Sequence, residues 1–208
     1  MNMNCAGCEE KACSKGKDCT EITAATKEVY KGDAEVLRSL RVSARIESRY
    51  YMKKTRLEEL ILYAKEMGYE KLGIAFCIGL QKEAEIICDI LSRYFDVSSV
   101  CCKVCGIDKS YFELERLHKN LDRDKGTVTD IEAGIEVEAM CNPIGQARIL
   151  NKEKTDLNII LGLCIGHDIL LTKYSEAPVT TLAVKDRVLA HNPLGAIYSG
   201  YHLEKIRE

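Results

Sequence analysis

From Leu72 onward, short apolar runs alternate with stretches of helical periodicity, and this alternation constrains the fold more than any other feature of the chain. The runs are 72–77 (LGIAFC), 97–102 (VSSVCC), 135–140 (IEVEAM), 157–164 (LNIILGLC) and 179–184 (VTTLAV). Between them lie helical patterns over 81–94, 110–117, the segment after Pro143, and a short stretch before Val179, with a polar loop over 122–130. Strands joined through helices must cross over, and such crossovers are right-handed and give parallel pairing. Parallel strands are covered on both faces, which is why they read as unbroken apolar runs. The expected fold is therefore α/β: a mainly parallel sheet with helices on both sides.

Upstream, Val36, Leu37, Leu40, Val42 and Ile46, then Leu57, Leu60, Ile61 and Ala64, recur at spacings of three and four, so residues 33–68 read as helical. Thr55 and Glu58 form a capping-box signature, and Gly68 marks the end of that helix. The expected organisation is a cysteine-rich segment over 1–22, a helical region over 23–70 that packs on the core, and an α/β domain over 71–208. Of the 208 residues 46% are hydrophobic and 30% charged, which is globular composition. A net charge of −2 offers no basic field for nucleic acid or an anionic membrane. The opening residues lack the charged and apolar regions of an export signal, and no apolar run approaches the ~18 residues of a membrane span. These features predict a cytoplasmic protein that engages neither membrane nor nucleic acid, with a redox partner or a small molecule as its expected ligand.

The chain also resembles itself. Residues 72–87 align with 159–174 through a shared Cys-Ile-Gly, at 77–79 and 164–166. Residues 97–103 (VSSVCCK) align with 179–185 (VTTLAVK), and 141–147 (CNPIGQA) with 191–197 (HNPLGAI). Three matches in one order, with an insertion of about thirty residues after Lys103, suggest two repeated halves near 71–154 and 155–208. In each half Cys-Ile-Gly falls where a strand ends and a helix begins. In open α/β sheets ligands bind in the crevice beyond the carboxyl ends of the strands.

Eleven cysteines in a chain with no export signal imply a reducing compartment, where clustered thiols hold metal or do redox chemistry. Cys77, Cys102, Cys141 and Cys164 fall at expected strand ends, with Cys105 one short loop on. These, with His191 as the counterpart of Cys141, are the candidate cofactor-binding residues at the rim. Cys101 and Cys102 alternate along one strand and face opposite sides, so one alone serves the rim; Cys102, nearer the strand end, is the better choice. Lys103 and Lys185, equivalent in the two halves, are candidates for holding an anion, and His167 for touching a ligand. Cys88 shares a helix face with Ala84 and Leu91 and reads as core, while His118 and His202 read as surface. Cys77 at a helix start is also a candidate reactive thiolate.

The densest motif is Cys5, Cys8, Cys13 and Cys19, a C-x2-C-x4-C-x5-C run within fifteen residues. Four thiolates at this spacing suit one tetrahedral zinc ion or a 4Fe-4S cluster. The segment has too few apolar residues to order itself, so a bound ion would supply the folding energy. Taken with CIG at 77–79 and 164–166, CCKVCG at 101–106 and CNPIGQA at 141–147, this run resembles a family of uncharacterised cysteine-rich proteins of archaea and anaerobic bacteria. That resemblance implies metal binding and an anaerobic setting, which favours iron–sulfur over zinc; it implies no particular reaction and no catalytic residue. The expected function is thus metal binding, with electron transfer or reductive small-molecule chemistry at the rim. A structural zinc protein and a thiol-redox protein using Cys77 are the alternatives. No phosphate-binding G-x-x-x-x-G-K-[ST], G-x-G-x-x-G, G-x-S-x-G or H-E-x-x-H motif is present, so the commoner α/β enzymes are excluded.

Overall fold

Local sequence rules set the helix boundaries in the computed structural model, which describes residues 3–116 and 137–208. Thr55 caps a helix over Arg56–Met67 by the expected reciprocal bonds with Glu58, and Gly68 closes it in the left-handed conformation. Asp33 caps another, over Ala34–Tyr50, by accepting from the backbone N–H groups of Glu35 and Val36. The chain divides into two compact units, residues 1–54 and 55–208.

The first unit holds a short 3-10 turn at Ala12–Lys15 and the helices α1 (Thr23–Gly32) and α2 (Ala34–Tyr50), which pack on each other. The second begins with α3 (Arg56–Met67) and continues β1 (Lys71–Phe76), α4 (Gln81–Leu91), β2 (Asp96–Cys101), α5 (Pro143–Lys152), β3 (Leu157–Leu163), α6 (His167–Tyr174) and β4 (Val179–Val184). Two short helices, α7 (Gly195–Tyr198) and α8 (Gly200–Arg207), end it. The four strands form one all-parallel sheet in the order β2-β1-β3-β4, so the α/β class expected from the sequence is the class observed.

Of the run 135–140, the described residues 137–140 form no strand. Residues 135 and 136 lie outside the described residues, and of the rest only Ala139 forms an isolated antiparallel bridge, with Asp108. The reason is legible in its composition. Its apolar residues alternate with Glu136 and Glu138, the pattern of a half-exposed segment, whereas every residue of β3 is buried. The helix expected over 110–117 is a 3-10 turn, Lys109–Phe112, and the expected polar loop 122–130 and His118 lie outside the described residues.

Two cores flank the sheet. On one face α3 and α4 lay Leu60, Ala64, Ala84 and Leu91 against Leu72, Ile74, Ile159 and Leu161. On the other, Ala147, Leu150 and Leu171 of α5 and α6 meet Ala75, Val100, Ile160 and Leu163. Each fully buried Leu or Ile contributes ~1.5–3 kcal/mol relative to exposure. The chain runs outward from β1 to β2, returns to β3 on the far side of β1, and runs outward again to β4. The order therefore reverses between β1 and β3. Beyond the carboxyl ends of those two central strands lies the crevice in which folds of this kind place their ligands.

Candidate functional site

The register of the central strands delivers two thiols side by side. Phe76 is paired with Cys101, so Cys77 and Cys102 are the next pair, held in line by a bond from the Cys102 N–H to the Phe76 carbonyl (2.9 Å). Neighbouring strands lie about 4.8 Å apart. That falls inside the ~4.4–6.8 Å Cα separation a disulfide requires. Both residues sit on the α5 side of the sheet, Cys77 8% and Cys102 2% exposed. Both are buried members of the apolar core on that face, at its edge nearest the strand ends.

Cys141 is brought to them by the cap of α5. Asn142 accepts the Gly145 N–H on its side-chain oxygen (2.8 Å), Pro143 takes the first turn, and the Asn142 N–H donates to the Cys102 carbonyl (2.7 Å). This fixes Cys141 Sγ 3.9 Å from Cys102 Sγ. The Ile78 N–H also donates to Cys102 Sγ, at 3.4 Å. Of the two adjacent cysteines it is Cys102, as the sequence indicated, that joins the group; Cys101 packs, partly buried, at the edge of the core.

Charge is distributed unevenly over these three sulfurs. The hydrogen bond from Cys102 pulls the Cys77 thiol down to about 5, helped by the Gly79 N–H and the Lys185 ammonium, and against the opposing effect of burial. Cys141 is likewise pulled to about 5, first by Cys102 and then by Lys103 and His167. Cys102 is pushed strongly the other way, because its proton bridges to two neighbours that become anionic. A thiol has a single hydrogen, so Cys102 serves one neighbour at a time, and the nearby cations must stabilise the charge on the other. Cys102 thus keeps the proton that Cys77 and Cys141 share, and those two are the sulfurs drawn toward the thiolate.

The same rim carries a fourth sulfur. Cys164 follows β3, its carbonyl accepting from the N–H groups of His167 (3.0 Å) and Asp168 (3.2 Å) as the chain turns into α6. Its Sγ accepts a bond from Arg187 Nη2 at 3.2 Å, and the guanidinium also feels the charges of Cys77 and Cys141. A glycine also shapes the end of β3 that leads to Cys164. Gly162 adopts a positive φ of 67° at a bulge in the β3–β4 ladder, and a Cβ there would run into Leu80.

Two expected rim residues are not gathered into this group. Cys105 stands exposed in the turn after β2, in a left-handed backbone conformation (φ 72°) that continues through Gly106. His191, the counterpart of Cys141 in the second half, instead braces the loop after β4: its Nδ1 accepts the Asp186 N–H (3.1 Å) and its own N–H donates to the Asp186 carbonyl (2.9 Å). Cys88, expected in the core, is half-buried against the α3–α4 side. Two residues that sequence reasoning passed over belong to the site. Arg187 could have been suspected from its place two residues after Lys185. Gln146, fully buried, donates through Nε2 to the carbonyls of Phe76 (3.1 Å) and Val100 (2.7 Å) and so ties β1 to β2 next to the cysteines.

In the first unit Cys5, Cys8, Cys13 and Cys19 are all exposed. The Cys8 N–H donates to the Cys5 carbonyl (3.3 Å), and Asp18 holds the chain beside Cys19 by accepting from Thr20 and Glu21. Among the described residues, no three His, Cys, Asp or Glu side chains are grouped so as to hold a metal ion.

A family model described as "Protein of unknown function (DUF1847)" matches residues 13–182. The chain belongs to this family. It is also 56% identical over 207 residues to the "Uncharacterized protein MJ0455" of Methanocaldococcus jannaschii, a match covering 99% of each chain. The family match spans the whole rim group, Cys77, Cys102, Cys141 and Cys164, together with Cys13 and Cys19 of the leading run. No solved structure matches the chain. No helix among the described residues is long and apolar enough to cross a membrane.

Proposed function

We propose that the rim performs thiol–disulfide exchange, with Cys77 as nucleophile, Cys102 as resolving thiol and Cys141 as proton acceptor. The observation that carries this reading is the strand register, which sets Cys77 and Cys102 at disulfide-compatible separation on one face of the sheet. In the first step the Cys77 thiolate attacks one sulfur of a substrate disulfide. A bond from Cys77 Sγ to that sulfur forms, the substrate S–S bond breaks, and the departing thiolate takes a proton from solvent. Cys102 then attacks Cys77 Sγ while its proton passes to the Cys141 thiolate 3.9 Å away. The second substrate thiolate leaves and is protonated by solvent. The substrate disulfide is reduced by two electrons to two thiols, the protein is oxidised to a Cys77–Cys102 disulfide, and a dithiol reductant restores it.

The test is mass spectrometry of the reduced protein after exposure to hydroxyethyl disulfide at pH 7. The expected product is an internal Cys77–Cys102 disulfide; Cys102→Ser should instead accumulate a mixed disulfide on Cys77, and Cys77→Ser should form neither. Exchange confined to the exposed leading cysteines would overturn the reading. So would stoichiometric metal held by the rim thiols of anaerobically purified protein.

A second reading concerns the leading run alone: Cys5, Cys8, Cys13 and Cys19 enclose one ion, zinc or an iron–sulfur cluster. Its support is that residues 3–22 bury no side chain while exposing four thiols, so nothing else in the segment can organise it. Metal and acid-labile sulfide analysis should find one equivalent or cluster that Cys5→Ser/Cys8→Ser loses. Equal metal content in the two proteins would contradict it.

A further inference from the structure

We infer that the substrate of the rim is an anion, a disulfide that carries a carboxylate or phosphate near its reacting sulfur and seats that group among Lys185, Arg187 and Lys103. This deepens the thiol reading and rests on it. The three cations reach the rim from two segments: Lys103 from the turn after β2, and Lys185 and Arg187 from the segment after β4. None of them forms an ion pair with a carboxylate among the described residues. Lys103 Nζ spends one bond on the Ala139 carbonyl (2.6 Å), and Arg187 one on Cys164 Sγ (3.2 Å), leaving most of its donors for a ligand. Gly79 leaves a gap beside them: a Cβ there would sit 3.6 Å from Lys185 Nζ and 3.9 Å from Cys77 Sγ. The absent side chain leaves methyl-sized room beside the nucleophile and the Lys185 ammonium that hydrogen-bonds it.

Arginine suits the task, since its planar fork matches carboxylate and phosphate oxygens two at a time.

The test compares two alkylating probes of nearly equal size on the reduced protein, iodoacetate (an anion) and iodoacetamide (neutral). Rates are read by mass spectrometry on the Cys77 peptide at low salt. Each reaction forms an S–C bond and expels iodide, and the thiolate fraction cancels in their ratio. The ratio of iodoacetate to iodoacetamide should exceed that of a small free thiol by about tenfold. It should fall toward the free-thiol ratio in Lys185→Gln and Arg187→Gln, and in wild-type protein at ~1 M salt, where charges are screened within about 3 Å. Arg187→Lys should retain part of the preference. A Cys77 that reacts readily with both probes at the free-thiol ratio would overturn the anionic substrate while leaving the thiol reading intact. A Cys77 inert to both would overturn the thiol reading, and this inference with it.

Discussion

At the scale of single residues the site depends on one shared proton and on the groups that hold its three sulfurs in place. Gln146 shows how narrow the tolerance is. Its Nε2 satisfies the carbonyls of Phe76 and Val100, just before the two strand-end cysteines, while its Oε1 is buried without a hydrogen-bond partner. Gln146→Leu keeps the volume but strips a donor from both carbonyls. The Phe76 carbonyl keeps its bond from the Cys102 N–H, so the loss is that of two side-chain hydrogen bonds at about 0.5–1.5 kcal/mol each; the urea midpoint should drop at unchanged m-value and Cys77–Cys102 disulfide formation should slow. An unaltered midpoint would show that the clamp is dispensable. The cysteines themselves were legible, because Cys77, Cys102 and Cys164 close apolar runs and strand ends define the rim of an α/β sheet. Arg187 and Gln146 were not, since their roles exist only once distant segments meet. Cys105 misled for a local reason: it follows Cys102 by three residues, but the left-handed backbone at Cys105 and Gly106 leaves it exposed and apart.

At the scale of elements, the runs free of charged residues became strands, whereas the described part of the run that alternates with glutamates did not. The runs at 72–77, 97–102, 157–164 and 179–184 became β1 to β4 to within a residue at either end. The described part of the alternating 135–140 run bonds instead to the loop at 107–109. The aligned halves occupy equivalent positions, since β1–α4–β2 and β3–α6–β4 are both parallel strand–helix–strand units with Cys-Ile-Gly after the first strand. Yet matching motifs serve different ends. Asn142 caps α5 and sets Cys141 against Cys102, whereas the Asn192 N–H merely closes a turn onto the Leu189 carbonyl (2.9 Å), and His191 is absorbed by its own loop. What separates them is the long helix α5, whose buried face of Gln146, Ala147 and Leu150 anchors the cap to the sheet. The short α7 buries none of its residues.

At the scale of the α/β unit, topology explains why the sulfurs meet at all. Strand order reverses between β1 and β3, and residues 77, 102 and 164 each follow a strand whose carboxyl end opens on that reversal, while the crossover into α5 delivers Cys141. The cations that follow β2 and β4 complete a rim in which thiolates are stable. The most direct measure of that claim is the rate of Cys77 alkylation by iodoacetamide as a function of pH, followed on its peptide by mass spectrometry. A thiol with a lowered pKa is ionised above that pKa, so the rate should be level from about pH 6 to pH 8 and fall by half near 5. A rate that climbs tenfold per pH unit through neutrality, with its midpoint near the ~8.5 of a free cysteine, would contradict the account.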